Sequence, residues 1–279
     1  MKIAQFQTRV FPEKEKNLRQ MEQCMEMAAR EQADLAVFGE MFCCPYETGQ
    51  FPLYAEPEGG EIWQRCSRLA EKHGIYLAAG TMPETDAGGH IYNTAYLFDR
   101  QGRQIGKHRK VHLFDIDIRG GQRFRESDTL TAGEECTVAE TEFGKIGICI
   151  CFDFRFPEIA RQMAQRGAVL LLVPAAFNPT TGPAHWELMN RSRAVDNQCF
   201  VAATSPARDP EASYKAWGHS LIADPWGTIL GEMDEKEGMQ TVDIDLREAA
   251  RIREELPLLR ARRPELYARW EAQEEKNRV

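Results

Sequence analysis

Residues 144–158, GKIGICICFDFRFPE, leave this chain little freedom of fold. The first half is a short isoleucine-rich apolar run opened by a glycine, the signature of a buried β-strand over 145–150. Pro157 then suits the first turn of a helix that runs on through Ile159, Met163 and Ala164. Beyond that helix, residues 168–174 (AVLLLVP) are apolar throughout, a further buried strand. Cys151 stands where the first strand gives way to the helix. Amide groups at a helix start are unpaired and the dipole there favours negative charge, so a thiolate at such a junction is stabilised.

The rest of the chain repeats this alternation. Strands are expected at 2–7, 33–38, 75–80, 91–98, 104–107, 198–204, 218–223, 228–231 and 238–244. Helices are expected at 12–31, where Leu18, Met21, Met25 and Ala28 recur at helical spacing, and at 61–73 and 183–197. Turns at 99–102 (DRQG) and 224–227 (DPWG) join neighbouring strands tightly. A mixed sheet follows, built as two sheets packed face to face with helices outside. No linker, repeat or low-complexity segment interrupts residues 1–279, so one domain is expected. The charged tail, 246–279, has apolar residues (Leu256, Leu258, Leu259, Leu266, Tyr267, Trp270) but no core of its own. It is expected at a subunit interface, the alternative being a solvated helix on its own subunit.

A net charge of −8 and a pI near 5.4 argue against nucleic acid or an anionic membrane as the partner. No apolar run approaches the roughly 20 residues of a membrane span, and the N-terminus shows no tripartite signal. A cytoplasmic protein is expected. Its eight cysteines lack the compact spacing of a disulfide framework and are expected to be free thiols.

A free thiol needs a base or a positive neighbour to attack at neutral pH. Three residues stand out by position. Glu40 ends one apolar strand as Cys151 ends another, so their side chains can converge in a layered sheet. Lys110 opens the long polar loop 108–133, and Glu126 lies further along it. A carboxylate base and a lysine facing a developing oxyanion supply acyl transfer. From position alone the alternatives stay open: a solvated loop glutamate, a surface lysine, a cysteine that is only a small hydrophobe.

Gly39-Glu40, residues 109–115 (RKVHLFD) and residues 151–158 (CFDFRFPE), in that order, closely resemble the signature of the nitrilase superfamily of carbon–nitrogen hydrolases. Residues 177–187 (FNPTTGPAHWE), 191–198 (RSRAVDNQ) and 205–209 (SPARD) resemble its omega-amidase, or Nit-type, branch. The resemblance implies a four-layer α-β-β-α sandwich that forms homodimers or larger homo-oligomers, with no metal or organic cofactor. It implies Glu40 as general base, Lys110 as oxyanion stabiliser and Cys151 as nucleophile through a thioester. Glu126 and the backbone N–H of Phe152 are implied as support, and Tyr46, Arg155, Phe177 and Thr181 as substrate-binding residues. Cys149, two residues before the nucleophile, is expected to be buried packing.

Arg155 can clamp a carboxylate with two parallel hydrogen bonds, the alternative being an ion pair with Asp153 or Glu158. The implied substrate is a short dicarboxylic acid monoamide of the 2-oxoglutaramate or 2-oxosuccinamate type, hydrolysed to the acid and ammonia. Deaminated glutathione or an N-carbamoyl amine would use the same triad in a different pocket. Other readings are a Cys–His enzyme using His112 or His185, a zinc module on Cys149 and Cys151, which lacks a second cysteine pair, and a non-catalytic scaffold.

Overall fold

The computed structural model describes residues 1–117 and 123–277. The first half contains β1 (Lys2–Gln7), α1 (Lys14–Arg30), β2 (Leu35–Phe38), the single turn α2 (Phe51–Tyr54), β3 (Glu56–Pro57), α3 (Glu61–His73), β4 (Tyr76–Thr85), β5 (Ile91–Phe98) and β6 (Gln104–Arg109). A small hairpin, β7 (Asp115–Asp117) and β8 (Arg123–Arg125), leads to β9 (Thr137–Thr141), β10 (Gly144–Ile148), α4 (Pro157–Gln165), β11 (Ala168–Pro174), α5 (Gly182–Asn197) and β12 (Phe200–Thr204). The chain continues through β13 (Leu221–Ala223), β14 (Ile229–Glu232), β15 (Gly238–Asp243), α6 (Arg247–Glu255) and α7 (Pro264–Asn277).

Among the described residues, one sheet runs β15-β1-β2-β4-β5-β6 with β3 beside β4, and the other runs β14-β13-β12-β11-β10-β9. In each, three central strands are parallel (β1, β2, β4 and β10, β11, β12) and the flanks are antiparallel. The period of two along a strand sorts side chains into layers. In β2, Leu35 and Val37 enter the core between the sheets with Ile148, Leu172 and Ala202. Ala36 and Phe38 point the other way, onto Leu18, Met21 and Met25 of α1 and Ile62, Cys66 and Leu69 of α3. Helices α4 and α5 cover the second sheet through Met163, Ala164, Trp186 and Ala194. Each fully buried Leu, Ile or Phe contributes about 1.5–3 kcal/mol, so both faces of each sheet are committed to apolar contact. The result is the four-layer α-β-β-α sandwich.

Polar residues also register the layers. Gln5, with no exposed surface, spans from β1 to the other sheet and donates to the carbonyls of Ala203 and Leu221 and to Thr204 Oγ1. Gly106 lets β6 approach β9 and β10, since a Cβ there would lie 3.4 Å from Ala139 Cβ and 3.1 Å from Ile148 Cδ1.

Several elements differ from sequence expectation. β10 stops at Ile148, two residues short of the expected end, and a 3-10 turn, Cys151–Arg155, separates it from the α-helix, which begins at Pro157 as expected. Cys151 therefore does not sit on an α-helix N-terminus, and backbone geometry rather than a macrodipole sets its environment. β4 runs five residues past the expected Gly80, because it pairs with β5 out to Thr85–Ile91. The loop expected over 108–133 contains the β7–β8 hairpin and a 3-10 turn at Glu126–Asp128, while its residues 118–122 lie outside the described residues. The tail divides in two. Helix α6 is fastened to its own subunit by buried Ala249 and Ile252 and by Arg253 Nη2 to the Ala168 carbonyl at 2.6 Å, whereas α7 leaves Trp270 half exposed. Among the described residues no helix is long and apolar enough to cross a membrane.

Candidate active site

Parallel strands of both sheets end at one place, and in open α/β sheets ligands collect at carboxyl ends of strands. Glu40 follows β2, Cys151 follows β10, and Ala176 and Phe177 follow β11. The approach to Glu40 is tight: a Cβ on Gly39 would lie 2.7 Å from Pro206 N, and Gly80, at φ +69°, faces the Gly39 carbonyl, where any Cβ would collide. Cys151 itself holds φ +45°, a left-handed conformation that costs a non-glycine residue of order 1–3 kcal/mol. Asp153 closes the turn around it, its N–H donating to the Ile150 carbonyl and its Oδ2 accepting from Ile150 N–H at 3.0 Å. Cys149 has no exposed surface and packs within the hydrophobic core.

Lys110 follows β6 and, despite the basic run around it, has no exposed surface; neither have Glu40 and Glu126. Lys110 Nζ donates to Glu40 Oε1 at 2.8 Å and lies 3.0 and 2.9 Å from the two oxygens of Glu126. The two carboxylates are not equivalent. Glu126 is saturated, since Tyr46 Oη donates to its Oε1 at 2.7 Å and Phe114 N–H to its Oε2 at 2.7 Å. Glu40 Oε1 accepts from Lys110 and from Asn93 Nδ2 at 2.8 Å, but its buried Oε2 makes no well-aligned hydrogen bond among the described residues. The Cys151 thiol is close enough to act on this carboxylate as a donor.

Burial pushes the Cys151 thiol well above its ordinary range and the Glu40 charge pushes it further, while Lys110 and the Ala176 amide N–H pull it back. Burial also raises Glu40, against Lys110 and with Glu126. For Lys110, burial opposes the charge, but Glu126 and Glu40 outweigh it and hold the ammonium above the usual lysine range. The resting sulfur is thus a thiol beside a carboxylate that keeps one oxygen without a hydrogen-bond partner among the described residues.

Asp153 ties the lysine segment to the cysteine turn. Its Oδ1 accepts from Val111 N–H at 3.1 Å, His112 N–H at 2.8 Å and His112 Nδ1 at 2.8 Å, and its Oδ2 meets His108 Nε2 at 3.1 Å. Burial disfavours the carboxylate, but the contacts with His108 and His112 prevail and hold its pKa well below the usual 3.8. A depressed carboxylate contributes stability above its unfolded pKa that is lost as pH falls through the folded value. Asp153→Asn is therefore expected to cost about 3–5 kcal/mol at pH 7. The difference from the parent should shrink as pH drops below 3.8, as thermal unfolding across that range would show; a pH-independent difference contradicts it.

Arg155, in the same turn, is half-buried. Its guanidinium lies 4.5 Å from the Phe177 ring centroid and donates to His185 Nδ1 at 3.1 Å. Burial lowers its pKa, with Cys151 and Tyr214 close enough to act on it in the opposite sense. The ion pair with Asp153 does not form, because the histidines and backbone amides occupy that carboxylate. Among the described residues Arg155 has no carboxylate partner. Tyr46 joins the charged cluster, with its ring 4.5 Å from Tyr214 and 5.3 Å from Phe124. Phe152 packs edge-on to Phe114 at 5.3 Å. Thr181 lies in the turn before α5, where its hydroxyl donates to Asn178 Oδ1 at 3.0 Å. His112 is committed to Asp153 and His185 to Arg155, so neither serves the thiol as a base.

Asp153, Asn93, His108 and Tyr214 escaped sequence reasoning. Asp153 had one signal, the histidine pair His108 and His112 with its spacing of four, but nothing local joins those histidines to a residue some forty positions later.

A thiol, a facing carboxylate, a buried ammonium and a strained turn at the ends of parallel strands define an acyl-transfer centre on a four-layer sandwich. The chain belongs to the carbon–nitrogen hydrolase family, whose model matches residues 2–254, and is an amide-hydrolysing enzyme acting on a small molecule. Omega-amidase NIT2 of Xenopus tropicalis is 47% identical over 268 residues, 96% of each chain, and Omega-amidase NIT2 of Homo sapiens 45% identical over 267 residues, again 96% of each. Among solved structures, Saccharomyces cerevisiae Nit3, of the nitrilase superfamily, matches with TM-score 0.85 at 42% identity over 92% of this chain and 94% of that one. An amidase from Nesterenkonia sp. AN1, seen with acrylamide added at its active-site cysteine, matches with TM-score 0.81 at 26% identity over 97% of this chain and 99% of that one.

Proposed function

We propose that this enzyme is an omega-amidase, hydrolysing the terminal amide of a short carboxylated substrate of the 2-oxoglutaramate or 2-oxosuccinamate type. In this reading Glu40 takes the Cys151 proton as sulfur attacks the amide carbon. The oxyanion forms against the Lys110 ammonium and the Phe152 N–H. Glu40 returns the proton to nitrogen, the C–N bond breaks and ammonia leaves a thioester. Glu40 then deprotonates water, which attacks the thioester, and the departing sulfur recovers the proton. Glu126 holds Lys110, and Tyr46, Phe177 and Thr181 shape the pocket.

The observation that carries the substrate class is Arg155, a guanidinium beside Cys151 with no carboxylate partner among the described residues. A substrate carboxylate supplies that partner and places its far amide over the sulfur. The names of the relatives point the same way. The test is ammonia release across a panel of oxo-acid amides, deaminated glutathione, N-carbamoyl amines and uncharged amides. The oxo-acid amides are expected to turn over best, and Arg155→Ala to lower their kcat/KM about 30- to 1,000-fold, roughly 2–4 kcal/mol, mainly through KM. An uncharged amide should scarcely notice the change. Equal losses on charged and uncharged amides would remove the clamp, and no turnover with no Cys151 adduct would remove the activity.

A cytoplasmic homodimer completes the reading. Eight unpaired cysteines favour a reducing compartment. The outer face of α5 exposes Leu188 (65%) and Val195 (39%), and Arg191 Nε holds the Gly227 carbonyl beside them at 2.8 Å, next to Trp226 (65%). Such a patch suits a second copy, and a single-chain mass by light scattering would remove it.

A further inference from the structure

The segment that follows β11 has no regular partner, yet it touches both halves of the site. Ala176, almost without exposed surface, lies close enough for its N–H to act on the Cys151 sulfur as a donor. The next residue, Phe177, presents the ring on which the Arg155 guanidinium rests at 4.5 Å. Among the described residues, the hydrogen bonds that hold residues 175–177 include Ala175 N–H to the Thr204 carbonyl at 2.9 Å, Trp217 N–H to the Phe177 carbonyl at 2.5 Å, and Tyr214 Oη to the Ala176 carbonyl at 2.5 Å. Of these, only the last comes from a side chain. Tyr214 belongs to the irregular stretch 205–220, and its ring is itself clamped, 4.5 Å from Tyr46 and 5.5 Å from Phe124. It lines the cleft together with Glu40, Tyr46 and Ala176.

We propose that Tyr214 is a positioning residue of the hydrolase, whose hydroxyl holds Ala176 so that the Ala176 N–H meets the Cys151 sulfur as negative charge forms there. The physical basis is that a hydrogen bond to the charged form of a thiol favours that form, and that a donor helps only when it is already in place as charge develops. With the hydroxyl gone, the Ala176 carbonyl loses its side-chain donor and the peptide is free to rotate its N–H away from sulfur. The same slack reaches Phe177 and the resting place of Arg155. The proposal rests on Cys151 being the nucleophile.

The test is the rate of alkylation of Cys151 by iodoacetamide, read at that residue by peptide mass spectrometry from pH 6 to 10, alongside ammonia release. Glu40, Lys110, Arg155, Tyr46 and Tyr214 face the sulfur, and all but Tyr214 are kept. Tyr214→Phe preserves the ring and removes the donor. It is expected to slow Cys151 alkylation about tenfold at pH 7, to move the rise of the profile about one unit upward, and to lower kcat more than it raises KM. A role confined to packing would lower the melting temperature without moving the profile. Tyr214→His keeps a ring with a donor and is expected to stay within threefold of the parent; it decides the matter should the phenylalanine variant not fold. A folded Tyr214→Phe with the parent's profile, or a folded Tyr214→His that loses tenfold or more, overturns the proposal. If the parent itself is neither alkylated at Cys151 nor active, the failure belongs to the nucleophile assignment, not to Tyr214.

Discussion

Glu40→Gln is expected to lower kcat/KM for an omega-amide by about 10²- to 10⁴-fold while leaving the protein folded. Glutamine keeps the shape, and its amide oxygen can still accept from Lys110 and Asn93, which now hold Glu40 Oε1. What it cannot do is take a proton from sulfur or from water. The fold tolerates the change because Lys110 still has Glu126, whose oxygens lie 2.9 and 3.0 Å from its Nζ. Loss of the Glu40 charge also removes one of the influences that raise the Cys151 pKa, so alkylation of the sulfur should persist when turnover has gone. Ammonia release with an intact-mass measurement after alkylation separates the two. Turnover near the parent's level would pass the base role to another group, and Glu126, with both oxygens hydrogen-bonded, is poorly placed to take it.

Lys110→Met is expected to remove activity and stability together. Without the ammonium, two buried carboxylates face each other uncompensated, and breaking a buried ion cluster by deleting one partner costs about 3–5 kcal/mol. Loss of an oxyanion donor adds roughly 10²- to 10³-fold in kcat. The pH dependence carries a definite sign. In the parent, Lys110 has a pKa raised above 10.5, so its contribution is complete below pH 10.5 and is lost only as pH rises through the folded value. In the variant, Glu40 loses the main influence that lowers its pKa and is raised further above 4.5. A carboxyl group raised on folding binds more protons in the folded state, so stability falls as pH rises past 4.5. Melting temperatures should therefore fall more steeply between pH 5 and pH 8 for Lys110→Met than for the parent, where Lys110 limits how far Glu40 is raised. A variant whose melting temperature falls no more than the parent's between these pH values would mean that Lys110 does not neutralise the pair.

Legibility in the sequence followed the range of the interactions. Helix Glu61–His73 and strand Ala168–Pro174 have the bounds that periodicity alone suggests, because burial of a stripe or of a whole strand is written in adjacent residues. The turn at Cys151–Arg155 does not, since Asp153 draws its carboxylate to Ile150, Val111, His112 and His108, and those bonds compete with a helix that the local sequence would permit. Lys110 shows the same limit. Within a run of Lys107, His108 and Arg109 it reads as one more surface cation, and Glu40 and Glu126, far away along the chain, are what make its burial affordable.

By itself the sequence determined the layers and the inventory: which runs are buried strands, which helices cover them, and, through three spaced motifs, which glutamate, lysine and cysteine belong together. Tertiary structure alone decided how they differ in use. Among the described residues it left Glu40 with an oxygen to spare and Glu126 with none, detached Arg155 from Asp153 so that it stands without a carboxylate, and brought Tyr214 and Ala176 to the sulfur. The physical reason is that hydrogen-bond saturation and desolvation belong to the space around a group, and that space is assembled from residues the chain keeps far apart.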